Sequence, residues 1–146
     1  MKNADFTPYI TMTPFELRKH QWRKGWALSF VGVIVYGVLR LFRQKPKDYK
    51  GICPYFEIGK NWGGLEMGWF FICGISTSEK LKNHEVGHCI QNAFVGGFRM
   101  LFLSICSALR YWYRKMFRVK TEYDSWWFEG QATDLGDRYV EQIKER

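Results

Sequence analysis

The segment His84-Glu85-Val86-Gly87-His88 brings the residue types of a metal site and of its general base together within five positions. Residues i and i+4 of an α-helix lie on one face, one turn apart, so the imidazoles of His84 and His88 can bind one metal ion from the same side. Glu85 is adjacent and can take a proton from a water molecule on that ion. This spacing predicts a zinc site. The alternative is a pair of helix histidines that bind no metal.

A helix is expected around this segment because helix-start signals precede it and no helix breaker interrupts it. Ser76 and Glu79 have the spacing of a capping box, and no proline occurs between residues 78 and 94. Gln91 lies three residues after His88 and therefore shares the histidine face. We expect Gln91 to contact a metal ligand or the substrate, unless it is a solvated helix glutamine.

A third protein ligand is expected, because catalytic zinc sites commonly combine three side chains with one open position for water. His20, the remaining histidine, lies in a basic stretch without other ligand types. Glu129 is the better candidate because small residues share its face of a second expected helix, namely Ala132, Thr133 and Gly136. Such a face allows close approach to the first helix at Gly87, so that the carboxylate can reach a shared metal. The alternative is an exposed helix glutamate.

The segments HEVGHCIQN and WFEGQATDLG resemble those of an uncharacterised group of small bacterial proteins, which carry an HEyGHxxQS helix and a later TExWADxLG helix. Residues 63–72 also resemble the strand, with the pattern SLGxFIF, that precedes the first helix in that group. More broadly, the pattern is similar to that of gluzincins, zinc metallopeptidases that combine HExxH with a glutamate on a second helix. The resemblance implies one zinc ion bound by His84, His88 and Glu129, with Glu85 as general base.

Position 133 departs from the pattern of such families. They often carry an aspartate four residues after the ligand glutamate, where it forms a hydrogen bond with a ligand histidine. Thr133 occupies that position here, and Asp134 follows it. A threonine hydroxyl can accept the same hydrogen bond, but it stabilises the imidazole less than a carboxylate does. We therefore expect Thr133 or Asp134 to support the site, with some loss of metal affinity.

The length of 146 residues and the order of the expected elements favour an α+β domain. We expect a minimal zincin-like arrangement, in which a small antiparallel sheet or hairpin packs on the HExxH helix and on a C-terminal helix that bears Glu129. Strands are expected at about 52–58 and 65–73, with a hairpin turn between them at 61–64. A further apolar helix is expected over residues 98–116.

Composition divides the chain into a basic N-terminal segment (1–24), an apolar helix (25–42) and a metal-binding domain (43–146). The first fifteen residues of the apolar helix carry no charge, whereas a membrane span needs about 20 apolar residues. The stretch from Trp26 to Phe42 is therefore either a short or in-plane membrane anchor, or a buried core helix.

A net charge of +8 also requires an explanation. Arg110, Arg114 and Arg118 recur at intervals of four residues, and Trp112 lies among the aromatic residues between them. A basic helix face beside aromatic residues can bind an anionic membrane surface or a nucleic acid, or it can be an ordinary solvated face. Of these two partners, the pattern favours the membrane over nucleic acid.

The four cysteines show no CxxC spacing, and no secretory signal is recognisable in the sequence. We therefore expect reduced thiols. The expected location is the cytoplasm, or a membrane with the metal site facing the cytoplasm.

Together these features predict a zinc-dependent hydrolase, most simply a metallopeptidase that acts on a peptide or protein through a metal-activated water, with Glu85 as general base. The oxyanion formed in that reaction needs a further donor, for which Tyr123, Tyr139 and Arg138 are candidates. The alternative is a non-catalytic, metal-stabilised protein that binds an anionic membrane or nucleic acid through its basic surface.

Overall fold

The computed structural model describes residues 4–60, 62–120 and 126–145. This part of the chain forms an α+β fold with six helices and one four-stranded sheet, which confirms the expected fold class. The helices are α1 (Thr7–Ile10), α2 (Pro14–Arg23), α3 (Trp26–Leu41), α4 (Glu79–Val95), α5 (Gly97–Phe117) and α6 (Trp127–Lys144). The strands are β1 (Lys47–Tyr49), β2 (Cys53–Glu57), β3 (Gly64–Glu66) and β4 (Phe71–Cys73).

The sheet is mixed, with the strand order β1-β2-β4-β3, so that β3 is an edge strand. β2 runs parallel to β4, and therefore residues 52–58 do not form the expected hairpin with 65–73. The expected second strand instead divides into β3 and β4, which pair antiparallel with each other. The chain reverses between them at Gly68, whose φ is +87°, and the Met67 N–H donates to the Phe70 carbonyl at 2.8 Å. Glycine adopts this left-handed conformation without the strain that a Cβ would add.

α4 carries the HExxH segment and begins two residues later than the sequence pattern indicates. Ser78 is its N-cap, and the Ser78 hydroxyl accepts a hydrogen bond from the Leu81 N–H at 3.3 Å. The expected cap, Ser76, lies in the preceding turn with a φ of +64°. Glu79 is consequently the first helical residue, where its charge faces the positive end of the helix dipole.

α6 packs closely against α4, and two glycines make this approach possible. A Cβ at Gly87 would lie 2.6 Å from the carbonyl carbon of Ala132, and a Cβ at Gly136 would lie 2.6 Å from the carbonyl carbon of Asn83. Both distances are shorter than a carbon–carbon contact of about 3.5 Å. The close approach predicted from the small residues on these two faces is therefore present.

The two faces of the sheet pack against different helices. On one face, Tyr55 and Phe71 join the main core, to which α4, α6 and the N-terminal helices contribute. On the other face, Phe56 and Phe70 pack against Tyr36 of α3 with ring centroids 5.2 and 5.5 Å apart. Alternation of side chains along the strands places these two sets on opposite sides.

The outer face of α3 is exposed and apolar along much of its length. Across the described residues, no single helix is both long enough and apolar enough to cross a membrane. α2 and α3 meet those two criteria as a pair, but the pair is bent by 104°.

Candidate metal centre

Three buried side chains from two helices converge between α4 and α6. His84 Nε2 and His88 Nε2 lie 3.1 Å apart, and Glu129 Oε2 lies 3.1 Å from the first and 3.2 Å from the second. Within residues 4–60, 62–120 and 126–145, this is the group of His, Cys, Asp and Glu side chains that is arranged to hold a metal ion. The structure thus brings Glu129, and not His20, to the two HExxH histidines.

Gln91 determines which nitrogen of His88 is protonated. Gln91 Nε2 donates to the Phe128 carbonyl at 2.9 Å and to Gln131 Oε1 at 3.1 Å, which leaves Gln91 Oε1 as an acceptor. His88 Nδ1 lies 2.8 Å from Gln91 Oε1 and is therefore the donor. In the neutral imidazole, His88 Nε2 then carries the lone pair that a metal requires.

Thr133 likewise determines which nitrogen of His84 is protonated. The Thr133 hydroxyl donates to the Glu129 carbonyl at 3.3 Å, so its oxygen accepts from His84 Nδ1 at 2.9 Å. The hydrogen bond between position 133 and a ligand histidine, expected from the family pattern, is therefore present. Asp134, by contrast, is exposed and forms an ion pair with Arg138 at 3.4 Å, away from the metal group.

The three side chains could hold a metal ion. When both imidazoles are neutral, their Nε2 lone pairs and the Glu129 carboxylate face one another at hydrogen-bonding distance with no proton between them. Burial raises the pKa of Glu129, but a positive charge on His88 and hydrogen bonds from His84 and His88 outweigh burial and hold that pKa well below its ordinary value. A bound metal ion could supply this positive charge, and the chemistry of the three donors suits one.

Glu85 is not a member of the three-ligand group and packs against the edge strand β3. A Cβ at Gly64 would lie 2.7 Å from Glu85 Cδ, so the absence of a side chain at Gly64 makes room for this carboxylate. Burial raises the pKa of Glu85 to about 7; His84 and a hydrogen bond from the Glu66 N–H oppose this shift, and Glu129 adds to it. A carboxylate with this pKa can take up and release a proton near neutral pH.

A cavity of about 510 Å³ opens beside these residues. Its floor includes His84, Glu85 and His88, and one wall is formed by β3 and the residue before it. The opposite wall belongs to α5, which contributes Ser104, Ser107, Tyr111, Arg114 and Lys115. The Gly63 N–H donates to Tyr111 Oη at 3.2 Å, which links the two walls.

Glu66, on β3, is a buried acid that the sequence analysis did not single out. Its Oε1 accepts a hydrogen bond from the Gly68 N–H at 2.7 Å, while its Oε2 has no hydrogen-bond partner in the described ranges. Burial raises the pKa of Glu66 well above its ordinary value, and nearby Cys89 and Glu85 raise it further. The neutral, protonated form is therefore favoured beside the cavity.

The oxyanion donors expected from the sequence do not line this cavity. The buried Tyr139 donates from its hydroxyl to the Met12 carbonyl at 3.2 Å, and Arg138 is exposed on the far side of α6. Tyr123 lies outside the described residues. Tyr111 and Arg114 occupy the cavity wall instead. Their signal in the sequence is a polar stripe on an otherwise apolar helix, at positions 104, 107, 111 and 114.

The residues expected to form a membrane surface divide into two groups. Trp26, Phe42 and Trp112 are exposed, as is Arg118. Arg114 lines the cavity, and the guanidinium of Arg110 lies over the ring of Trp126, 5.9 Å from its centroid. The three arginines therefore do not form one solvated basic face, and the outer face of α5 is apolar.

Comparison of the chain with protein-family models, with curated proteins and with solved structures found no match.

Proposed function

We propose that this chain is a zinc-dependent hydrolase, and specifically a metallopeptidase with the ligand pattern of gluzincins. The observation that carries the proposal is the buried His84, His88 and Glu129 group, which lies beside a cavity that Glu85 also lines. Two histidines and one glutamate are the ligand set of catalytic zinc in several metallopeptidases. Tetrahedral zinc with bonds of about 2.0–2.1 Å separates its ligand atoms by about 3.3 Å, close to the 3.1–3.2 Å between the donor atoms here.

The side chains have separate roles in the proposed hydrolysis. His84, His88 and Glu129 would hold the ion. Zinc bound there would supply Lewis acidity, which polarises a carbonyl and lowers the pKa of water to about 7. Glu85 takes the proton of the attacking water and delivers it to the leaving amine, a transfer that suits a carboxyl group with a raised pKa.

A hydrogen-bond donor on the opposite wall of the cavity stabilises the oxyanion. Tyr111 and Arg114 are the candidates, because both are on α5 and both line the cavity. The hydrogen bond from the Gly63 N–H holds Tyr111 Oη at the cavity wall. A positioned donor of this kind contributes about 3–4 kcal/mol to the transition state in well-studied hydrolases.

The rival is a structural zinc site in a protein without catalytic activity. Structural zinc is usually enclosed by four protein ligands, whereas catalytic zinc keeps one position open. The metal-ligand group in the described residues has three members, and two of them line the cavity. This favours the enzyme.

Metal analysis tests the ligand assignment. Purified protein should contain about one zinc per chain, as a three-ligand site implies, and His88→Ala or Glu129→Ala should lose it. His20→Ala and Glu141→Gln are matched controls, since both residues lie outside the group, and both variants should retain zinc. Stoichiometric iron in place of zinc would refute the zinc assignment, because iron(II) enzymes also use two histidines and a carboxylate.

Glu85→Gln separates chemistry from metal binding. The variant should keep its zinc and its fold but lose peptide hydrolysis by at least about 10²-fold, as expected when a general base is removed. A mixed peptide library read by mass spectrometry provides the assay. Loss of zinc in Glu85→Gln, or a zinc-loaded wild type that cleaves nothing in the library, would contradict the catalytic role and support the structural rival.

A further inference from the structure

Most of the large apolar side chains that are exposed in the described residues lie on two helices, α3 and α5. On α5 they form one stripe with the spacing of a single helix face, Phe98, Phe102, Ile105, Leu109, Trp112 and Met116. Leu109 is 65% exposed and Met116 is 71% exposed. A continuous apolar surface of this kind marks a site of contact with a partner or with a membrane.

α5 has the opposite orientation from that of an ordinary surface helix. Its polar residues, such as Ser107 and Tyr111, face inward and line the cavity, while its apolar stripe faces outward. A helix at a protein–water boundary places its polar face outward. The surroundings of α5 on its outer side are therefore expected to be apolar.

The exposed faces of α3 and α5 meet at their first turns. The rings of Trp26 and Phe98 are in edge contact with centroids 5.1 Å apart, and the Gly97 N–H donates to the Lys24 carbonyl at 2.6 Å. Beneath this contact, Leu28 and Met100 belong to one buried cluster. The two stripes consequently form one surface, here called the α3–α5 face.

The two chain segments that carry the α3–α5 face contain charges of one sign only. Residues 17–47 contain eight lysines and arginines, residues 86–120 contain six, and neither stretch contains an aspartate or glutamate. Exposed cations stand at both ends of the helices, among them Lys24 and Arg99 at the start and Arg43 and Arg118 at the end. An apolar face with cations at both ends is complementary to an anionic bilayer, whose headgroups attract lysine and arginine. A second copy of the face would repel the first.

We propose that the α3–α5 face docks in the plane of an anionic lipid bilayer. α3 has 16 residues and is therefore about 24 Å long, shorter than the hydrocarbon core of about 30 Å. The polar inner side of α5 would be unsatisfied within the hydrocarbon region. Both helices instead lie along the interface, with their apolar side chains buried about 5–10 Å deep. α5 then separates the lipid from the cavity, so the metal group lies about one helix diameter, some 10 Å, from the headgroups.

Vesicle co-sedimentation tests this docking, with the full chain and two vesicle types, phosphatidylcholine alone and phosphatidylcholine mixed with phosphatidylglycerol. The chain should bind the anionic vesicles and bind phosphatidylcholine much more weakly. A triple variant, Phe102→Gln, Leu109→Gln and Met116→Gln, should reduce this binding by at least about tenfold because it removes inserted apolar area. Phe15→Gln is the matched control, since Phe15 is exposed on α2 outside the α3–α5 face.

The cations are tested separately with Arg40→Gln and Arg43→Gln. Each change should weaken binding to anionic vesicles by about fivefold at low salt and have less effect at high salt. Lys144→Gln, at an exposed position at the end of α6, should have no effect. Circular dichroism and zinc content establish that each variant is folded, and the vesicle readout does not depend on catalysis.

Three results would overturn the proposal. The first is a monodisperse chain that ignores anionic vesicles at low salt. The second is vesicle binding that the triple variant leaves unchanged. The third is a stable dimer, measured by sedimentation, that the triple variant dissociates, because the occupant of the face would then be a second copy of the chain.

Discussion

Gly87 lies between the two ligand histidines on α4 and contacts the backbone of α6, so Gly87→Ala tests how the metal group is held together. The added Cβ would lie 2.6 Å from the Ala132 carbonyl carbon and 2.9 Å from the Ala132 Cα. These are backbone atoms and cannot rotate away. Since carbon–carbon contacts begin at about 3.5 Å, α6 must move by about 1 Å.

A shift of this size is large for a metal site. Glu129 lies on α6 one turn before Ala132, so it moves with the helix, while His84 and His88 remain on α4. Ligand distances in a well-formed zinc site vary by about 0.2 Å. We therefore expect zinc affinity to fall by about 100-fold or more, although no ligand is changed. Overpacking should also lower the free energy of unfolding by about 1–3 kcal/mol, partly offset by the higher helix propensity of alanine, about 1 kcal/mol.

Competition with a chelating dye measures the affinity, and denaturant unfolding in EDTA measures the metal-free stability. Gly37→Ala is the control, because a Cβ at Gly37 in α3 has no neighbour within 4 Å in the described structure. It should keep wild-type zinc affinity and gain about 0.4–1 kcal/mol of stability. If Gly87→Ala binds zinc as tightly as Gly37→Ala, the close contact between α4 and α6 does not position Glu129.

Substitutions at three further positions follow from the contacts of the site. Gln91→Leu removes the acceptor for His88 Nδ1 and should weaken zinc binding by about 10–100-fold in the same dye competition; an unchanged affinity would show that Gln91 does not orient the imidazole. Thr133→Asp places a carboxylate beside His84 Nδ1 and should tighten zinc binding, whereas Thr133→Val should weaken it; the opposite order would contradict the assigned hydrogen bond. Glu66→Gln concerns stability. Burial raises the pKa of Glu66, so the folded chain keeps a proton on this carboxyl group at pH values where the unfolded chain has lost it. Between these two pKa values, the free energy of unfolding of the wild type falls by up to about 1.4 kcal/mol for each pH unit. In EDTA, the Tm of Glu66→Gln should therefore rise relative to the Tm of the wild type between pH 5 and pH 8. A Tm difference that stays constant with pH would contradict a protonated Glu66 in the folded chain.

The parts of the site that lie within one helix were predictable from sequence. Spacing of four residues places His84 and His88 on one face in any helix, because the helical repeat is a local property. Gln91 shares that face for the same reason, and it contacts His88 as expected. Predicting Glu129 as the third ligand required a second inference, namely that the small residues on its helix face allow the two helix backbones to approach each other. The structure brings this carboxylate to both histidines.

Strand pairing was not predictable in the same way. Residues 65–73 are an apolar run that reads as a single strand, but the turn at Gly68 divides it. β2 then pairs with the second half, in parallel, and β3 becomes the edge beside Glu85. Pairing joins residues that are distant along the chain, so local pattern constrains it weakly.

The sequence by itself determined which residues of α4 and α6 can bind a metal, because their types and their spacing within a helical turn are properties of the chain alone. It also determined that α5 has a polar stripe and an apolar stripe. The periodicity of polar and apolar residues divides a helix into two faces, but it does not determine which face packs against the rest of the protein. That choice belongs to the tertiary structure, in which the buried charges of the metal group need polar neighbours. Ser107 hydrogen-bonds to Glu129, and Tyr111 accepts a hydrogen bond from Gly63, the residue before β3. The polar stripe of α5 therefore turns inward to form the wall of the cavity, and its apolar stripe is left on the outside.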